Sequence, residues 1–225
     1  NLVNITGTTY VVNNFINKKI KKLCFVSSIA AIGESANEDI TENTEWNPEI
    51  EKTPYSYSKH GSEMEVWRAS QEGVPVVIIN PGIIIGNNLN NSQVQKIIKN
   101  KFNFYTSGVS GFVTVEDVVE ATIGLMEANI KNERFILVSE NLSFKDFVIH
   151  ISKKNKNYSI NMPKSILYLI WFIESFFSHL KLKNKFLTRA LIKSLYGKCY
   201  YNGKKINKYL KNFEYSGIFS YLDKC

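Results

Sequence analysis

Apolar residues recur along this chain with two different periods, and the switches between them predict the order of its elements. Val11, Val12, Phe15 and Ile16 fall at helical spacing, so the chain opens inside a helix. Leu23-Cys-Phe-Val26 is a continuous apolar run and reads as a short buried strand. Pro54 disfavours helix at Thr53, so the next helix starts near Tyr55 and runs to about Gln71, with Gly73 as its C-terminal cap. Val74–Ile79 reads as a second buried strand that tolerates Pro75 near its start and ends in Asn80-Pro81-Gly82. Helices are expected over 94–98 and 113–126, an aromatic segment over 102–105, and a last strand over 134–138.

Strands that read as apolar runs and alternate with helices argue for a parallel, doubly wound sheet. Between the first strand and the Tyr55 helix, residues 34–54 are acidic and irregular, a loop long enough to be functional. Near the C-terminus, Pro163–Leu180 is strongly apolar. It is shorter than the roughly 20 apolar residues of a membrane span and is interrupted by Glu174. A buried helix or substrate lid is the first expectation. An interfacial helix flanked by Lys164, Lys181, Lys183 and Lys185 is the second.

Charge changes this picture only in the C-terminal third. Residues 1–149 carry 13 basic and 17 acidic side chains, and residues 150–225 carry 15 and 3, giving the net +8. Such asymmetry suits an anionic substrate, a membrane surface or nucleic acid, or is simply a solvated lysine face. Cys24, Cys199 and Cys225 show neither metal-site nor disulfide spacing, and the first residues show no signal-peptide pattern, so a reducing, cytoplasmic setting is expected. His150 and His179 have no partner nearby in sequence and read as structural.

The candidate chemistry gathers in the first ninety residues. In Tyr55-x-x-x-Lys59 the two side chains lie one helical turn apart. An ammonium near a phenol favours the phenolate, and a phenol so tuned can exchange a proton with an alcohol or carbonyl oxygen. Ser27 and Ser28 follow a buried strand, where α/β proteins place their chemistry, although from position alone loop or capping chemistry is the better explanation.

The ordered set Asn4-x-x-Gly-Thr8, Phe25-Val-Ser-Ser-Ile-Ala-Ala-Ile-Gly33, Tyr55-x-x-x-Lys59, Asn80-Pro-Gly82-x-x-x-Gly86 and Gly111-Phe-Val-Thr-Val-Glu-Asp-Val-Val119 resembles the extended short-chain dehydrogenase/reductase family. Within it, the set is most similar to the NAD-dependent epimerase/dehydratase group, on the dihydroflavonol reductase-like and 3β-hydroxysteroid dehydrogenase-like branch. The resemblance covers residues 1 to about 120 and implies the C-terminal part of a Rossmann-type sheet with a smaller, mainly helical substrate lobe. Residues 1–86 and 112–139 would form the dinucleotide-binding part, and 87–111 and 140–225 the substrate lobe. It implies Tyr55 as acid/base, Lys59 as the group that lowers its pKa and binds the nicotinamide ribose, and Ser28 as a hydrogen-bond partner of the substrate oxygen. Asn4, Ser27, Lys59, Pro81, Gly82 and Ile83 would contact NAD or NADP. Each also has a plain reading as a surface hydroxyl, a helix charge or a turn residue.

Departures from the pattern shape the expectation. No G-x-G-x-x-G or G-x-x-G-x-x-G occurs; Gly108-Val-Ser-Gly111 is the nearest cluster, and it lacks the strand-before, helix-after setting. The chain is therefore expected to be an N-terminally truncated piece, inactive alone, of an active parent. Ile29 and Ala30 stand where the family's dehydratases carry an acidic pair, so dehydration is disfavoured. The expected activity is hydride transfer to or from a carbonyl or alcohol carbon. The alternatives are a nucleotide-sugar epimerase or a non-catalytic Rossmann-like binding or sensing protein. A small-molecule substrate is expected and nucleic acid is not. A homodimer and a weak peripheral membrane contact through 163–185 stay open.

Overall fold

The computed structural model describes residues 2–18, 20–35, 39–86, 93–179 and 187–224. Glu38 of the acidic loop, Asn87, Asn88, Lys181, Lys183, Lys185 and Cys225 lie outside them, as does the His179 side chain.

A three-stranded parallel sheet forms the centre: β1 (Leu23–Val26), β2 (Val76–Pro81) and β6 (Glu133–Leu137), in the order β1-β2-β6. Strand β2 is buried along its whole length, and its side chains alternate between two cores. Val76 and Ile78 face Val12, Leu23, Val66 and Ala69, the last two on α2 (Pro54–Gln71) and Val12 on α1 (Gly7–Asn17). Val77 and Ile79 face Phe135, Leu137, Val118, Ala121 and Leu125, the last three on α4 (Val115–Glu127). Helices on both faces explain why β2 reads as an unbroken apolar run.

Two boundaries differ from the sequence reading. Strand β2 begins after Pro75 and continues through Asn80 and Pro81, so these residues belong to the sheet and not to a turn. Pro81 is accommodated because it is the strand's last residue. The helix expected over 113–126 starts at Val115, since Val109–Thr114 is strand β5. Thr114 caps the helix, its Oγ1 accepting from the Asp117 N–H at 3.1 Å.

Gly82 hands the chain from the central sheet to a second one. The next residues, Ile83–Ile85, form β3, which pairs in parallel with β5, and β5 pairs antiparallel with β7 (Glu140–Ser143). A built Cβ on Gly82 would stand 2.4 Å from the Gly111 carbonyl oxygen, so only glycine permits this approach. The aromatic segment 102–105 is strand β4, paired in parallel with β8 (Tyr158–Asn161) and backed by α5 (Phe144–Lys154). A short helix α3 (Gln93–Lys99) precedes β4.

The C-terminal elements are α6 (Lys164–His179), α7 (Arg189–Tyr196) and α8 (Ile218–Lys224). Helix α6 is not buried: Ile166, Leu169, Ile170, Phe172, Ile173, Phe176 and Phe177 are all exposed. No described helix is long and apolar enough to cross a membrane. His150 has a partner that sequence proximity concealed. Its Nε2 lies 2.8 Å from Asp223 Oδ1 on α8, and its ring packs on Phe219.

Candidate active site

The loops after β1 and β2 and the start of α2 meet around a cavity of about 720 Å³. Helix α2 begins where it does because the Thr53 Oγ1 accepts from the Ser56 N–H at 3.1 Å, with Pro54 in the first turn. That cap puts Tyr55 at the rim, where it lines the cavity with half of its surface exposed. Ser28 lines the same cavity from the end of β1. It caps the single turn Ile29–Ala31, with its Oγ accepting from Ala30 N–H at 3.2 Å. Gly82 and Ile83 supply the wall from the junction of the two sheets.

Lys59 and Asn4 face a second, smaller cleft of about 330 Å³, shared with Thr8, Leu23 and Phe25. Lys59 Nζ donates to the Val26 carbonyl at 3.3 Å and lies 5.7 Å from the Phe25 ring centroid. Burial there lowers its pKa below the ordinary lysine value, and the Glu63 carboxylate one turn along α2 partly opposes the shift. Asn4 Nδ2 donates to Ser58 Oγ at 2.9 Å, and Ser58 Oγ donates to the Tyr55 carbonyl at 2.8 Å. Asn4 thus braces the turn that carries Tyr55.

The remaining two candidates line neither space. Pro81 is buried in the sheet, in register with Leu137. Ser27 is buried, and its N–H donates to the Ile79 carbonyl at 2.7 Å. Its Oγ has no hydrogen-bond partner. A buried hydroxyl left unsatisfied is costly, so this atom is one place where a bound polar group would be favourable.

Several residues of the site escaped the sequence reading. The far wall of the larger cavity is built by Thr188, Leu191 and Lys193 of the α7 region and by Cys199 and Tyr201, more than 130 positions from Tyr55. Lys52 and Glu34 form an ion pair of 2.9 Å at the cavity, with Lys193 Nζ 3.5 Å from the other Glu34 oxygen. Burial pushes the Tyr201 phenol and the Cys199 thiol up, which removes both as acids near neutrality. Beneath the site, fully buried Glu63 accepts from Asn80 Nδ2 and pairs with Arg134. No local spacing announces these groups; only the Thr188 cap, accepting from Leu191 N–H at 3.1 Å, has a short-range signature.

The arrangement can handle a proton and a small apolar ligand. Tyr55 and Ser28 present hydroxyls to one cavity, whose other walls include Ile29, Ile32, Ile83, Val109 and Phe144. The Gly82 N–H is spent on the Leu137 carbonyl at 3.0 Å, which leaves the Ser27 hydroxyl and the Lys59 ammonium as the polar side-chain groups here. A glycine-rich turn for a pyrophosphate is absent from the sequence.

Comparison with known proteins places the chain in a family. Residues 2–137 match the model of the NAD dependent epimerase/dehydratase family. The chain is 30% identical over 170 residues to cinnamoyl-CoA reductase 1 of Petunia hybrida, covering 69% of this chain and 51% of that one. It is 27% identical over 172 residues to tetraketide alpha-pyrone reductase 2 of Arabidopsis thaliana, covering 68% and 53%. The chain thus spans about half the length of the curated relatives it matches. Among solved structures, UDP-glucuronic acid 4-epimerase from Bacillus cereus superposes with a TM-score of 0.72 at 16% identity, covering 97% of this chain and 64% of that one. UDP-glucose 4-epimerase from Thermotoga maritima superposes with a TM-score of 0.71 at 16% identity, covering 99% and 70%. At such identities the likeness is one of fold.

Proposed function

The chain belongs to the NAD dependent epimerase/dehydratase family, and from that premise we propose that it carries the proton-handling part of an NAD(P)-dependent oxidoreductase acting on a carbonyl or alcohol carbon. The carrying observation is that Tyr55 and Ser28 line one cavity although they come from different elements, 27 positions apart. In this reading Tyr55 donates its phenolic proton to the substrate oxygen during reduction and takes it back during oxidation. Ser28 hydrogen-bonds the same oxygen and holds the carbonyl toward Tyr55.

Lys59 would hold a nicotinamide dinucleotide at its ribose, with Asn4 and Ser27 near the cofactor and the Gly82–Ile83 segment beside its carboxamide. When bound, that cofactor supplies or accepts the hydride. Lys59, already partly desolvated, sits one turn from Tyr55 on α2. The division of labour proposed from the sequence goes with this reading: 1–86 and 112–139 toward the cofactor, 87–111 and 140–225 toward the substrate. The chain changes sheet at Gly82, near the first of these bounds, while the bound at 111/112 falls inside β5.

The aliphatic and aromatic walls of the cavity favour a reductase of an apolar carbonyl over a nucleotide-sugar epimerase. So does the likeness to the two reductase relatives. The test is NAD(P)H oxidation by a protein that carries this chain together with a glycine-rich dinucleotide-binding unit, with a panel of aromatic and aliphatic aldehydes and ketones, compared with its Tyr55→Phe variant. Loss of the phenol should lower kcat by at least about a hundredfold while cofactor affinity, read by NAD(P)H fluorescence, stays the same. Turnover unchanged in Tyr55→Phe rejects the assignment, and cofactor binding with no turnover of any carbonyl favours the non-catalytic alternative.

A further inference from the structure

Two successive elements turn their apolar sides outward. On α6, Ile166, Leu169, Ile170, Ile173, Phe176 and Phe177 fall within a stripe about 120° wide at 100° per residue. The opposite side of the helix does the packing. Leu167, Trp171 and Glu174 are partly covered, Glu174 Oε2 accepts from Leu187 N–H at 2.9 Å, and the Arg189 guanidinium lies 4.5 Å from the Trp171 ring centroid. The polar residue Glu174 therefore points toward the protein with Trp171, while Phe176 and Phe177 point away. This inverts the usual surface helix.

The two-stranded sheet just before α6 repeats the inversion. Phe102 stands opposite Tyr158, with rings stacked 5.5 Å apart, and Phe104 stands opposite Ile160. All four are exposed. The alternate position Asn103 is buried, and its Nδ2 donates to Ser152 Oγ of α5 at 3.1 Å. Only Met162 and Pro163 separate β8 from α6, so the two outward faces follow one another directly. Exposed apolar side chains grouped on one face of an element mark an interaction surface.

Charge identifies the partner. Residues 93–115 and 147–173 contain no Asp or Glu and carry Lys96, Lys99, Lys101, Lys153, Lys154, Lys156 and Lys164, all exposed. Lys101 immediately precedes Phe102 and Lys156 lies two before Tyr158; the Tyr158 N–H donates to the Lys101 carbonyl at 2.8 Å, so both lysines stand at the end of the sheet where β4 and β8 start. Lys154 is occupied by the Leu222 and Asp223 carbonyls. A second copy docked face to face would set one lysine rim against another, which disfavours a dimer through this surface. Aromatic and aliphatic side chains rimmed by lysines are what an anionic bilayer interface selects. We propose that the outward face of β4–β8 together with the outer stripe of α6 docks this protein on an anionic lipid surface. The inference is independent of the catalytic assignment, because none of these residues lines the Tyr55 cavity.

The experiment is co-sedimentation of the full chain with phosphatidylglycerol vesicles and, separately, phosphatidylcholine vesicles. Retention is expected on the anionic vesicles in low salt, with much less on neutral ones, and should weaken near 1 M salt, where the Debye length is about 3 Å. Lys101→Gln with Lys156→Gln should weaken partitioning by roughly 25-fold, at about fivefold per lysine. Ile173→Ser with Phe176→Ser should weaken it at least about tenfold. Neither pair should move the melting curve, because the side chains are exposed; if the serine pair misfolds, the glutamine pair still decides. Failure of both vesicle types to retain the protein overturns the proposal, as does retention unaffected by both pairs. A dimer by light scattering, dispersed by the serine pair without vesicle binding, overturns it in favour of a second copy.

Discussion

Asn80 Nδ2 lies 2.5 Å from Glu63 Oε1, and Glu63 is wholly buried. The same amide nitrogen donates to the Ser28 carbonyl at 2.9 Å, and the other Glu63 oxygen pairs with Arg134 on β6. One side chain thus joins the end of β2, the loop that carries Ser28 and the helix that carries Tyr55. The relative position of the two candidate hydroxyls is set from below, by groups that never reach the cavity.

A buried carboxylate is tolerated only while both its partners stay in place. Removing one leaves a charge without compensation, at a cost of about 3–5 kcal/mol. Glu63→Ala and Arg134→Ala should each lose stability of that size in urea unfolding. The paired change Glu63→Leu with Arg134→Met should lose clearly less than the sum of the two. Additive losses would show that the ion pair is not coupled.

Gly82 is constrained by its neighbour across the sheet junction and not by its own dihedral angles. A methyl group there meets the Gly111 carbonyl oxygen at 2.4 Å and its carbon at 2.7 Å, both rigid backbone atoms. Gly82→Ala should cost about 1–3 kcal/mol as overpacking, and it should disturb the Ile83 wall of the cavity. Gly7→Ala is the control, since a Cβ there meets nothing within 4 Å. Equal melting temperatures for the two variants would refute the close approach.

Cys24 provides a pH test. Burial in β1 pushes its thiol from the ordinary 9.0 up to about 11, against a smaller opposing effect of Lys22. Between these values the unfolded chain releases the proton and the folded chain keeps it. Stability linked to Cys24 is therefore complete below pH 9 and declines as pH rises toward 11. Cys24→Ala should flatten the fall in unfolding free energy across that window. Alkylation at pH 8, followed by peptide mapping, should modify Cys24 roughly a hundredfold more slowly than an ordinary thiol of pKa 9, in proportion to its thiolate fraction.

Sequence alone determined the features that depend on neighbours a few positions apart. The apolar runs of β1 and β2 are strands because burial on both faces needs no alternation. Thr53-Pro54 starts α2 because a hydroxyl cap and a fixed φ act locally, and that start carries Tyr55 and Lys59 one turn apart. The spacing of the short motifs was enough to mark the family, since each motif is a local piece of backbone chemistry.

Tertiary structure decided everything that joins distant positions. It put Tyr55 and Ser28 on one cavity and turned Lys59 and Asn4 toward another cleft, because α2 presents its successive turns to different neighbours. It supplied the Cys199–Tyr201 and α7 walls, the Glu63–Asn80–Arg134 network and the His150–Asp223 contact, none of which has a short-range signature. It also turned the apolar side of α6 outward. A hydrophobic run records that a helix has an apolar face; which way that face points depends on the Trp171, Glu174 and Arg189 contacts that anchor the opposite side.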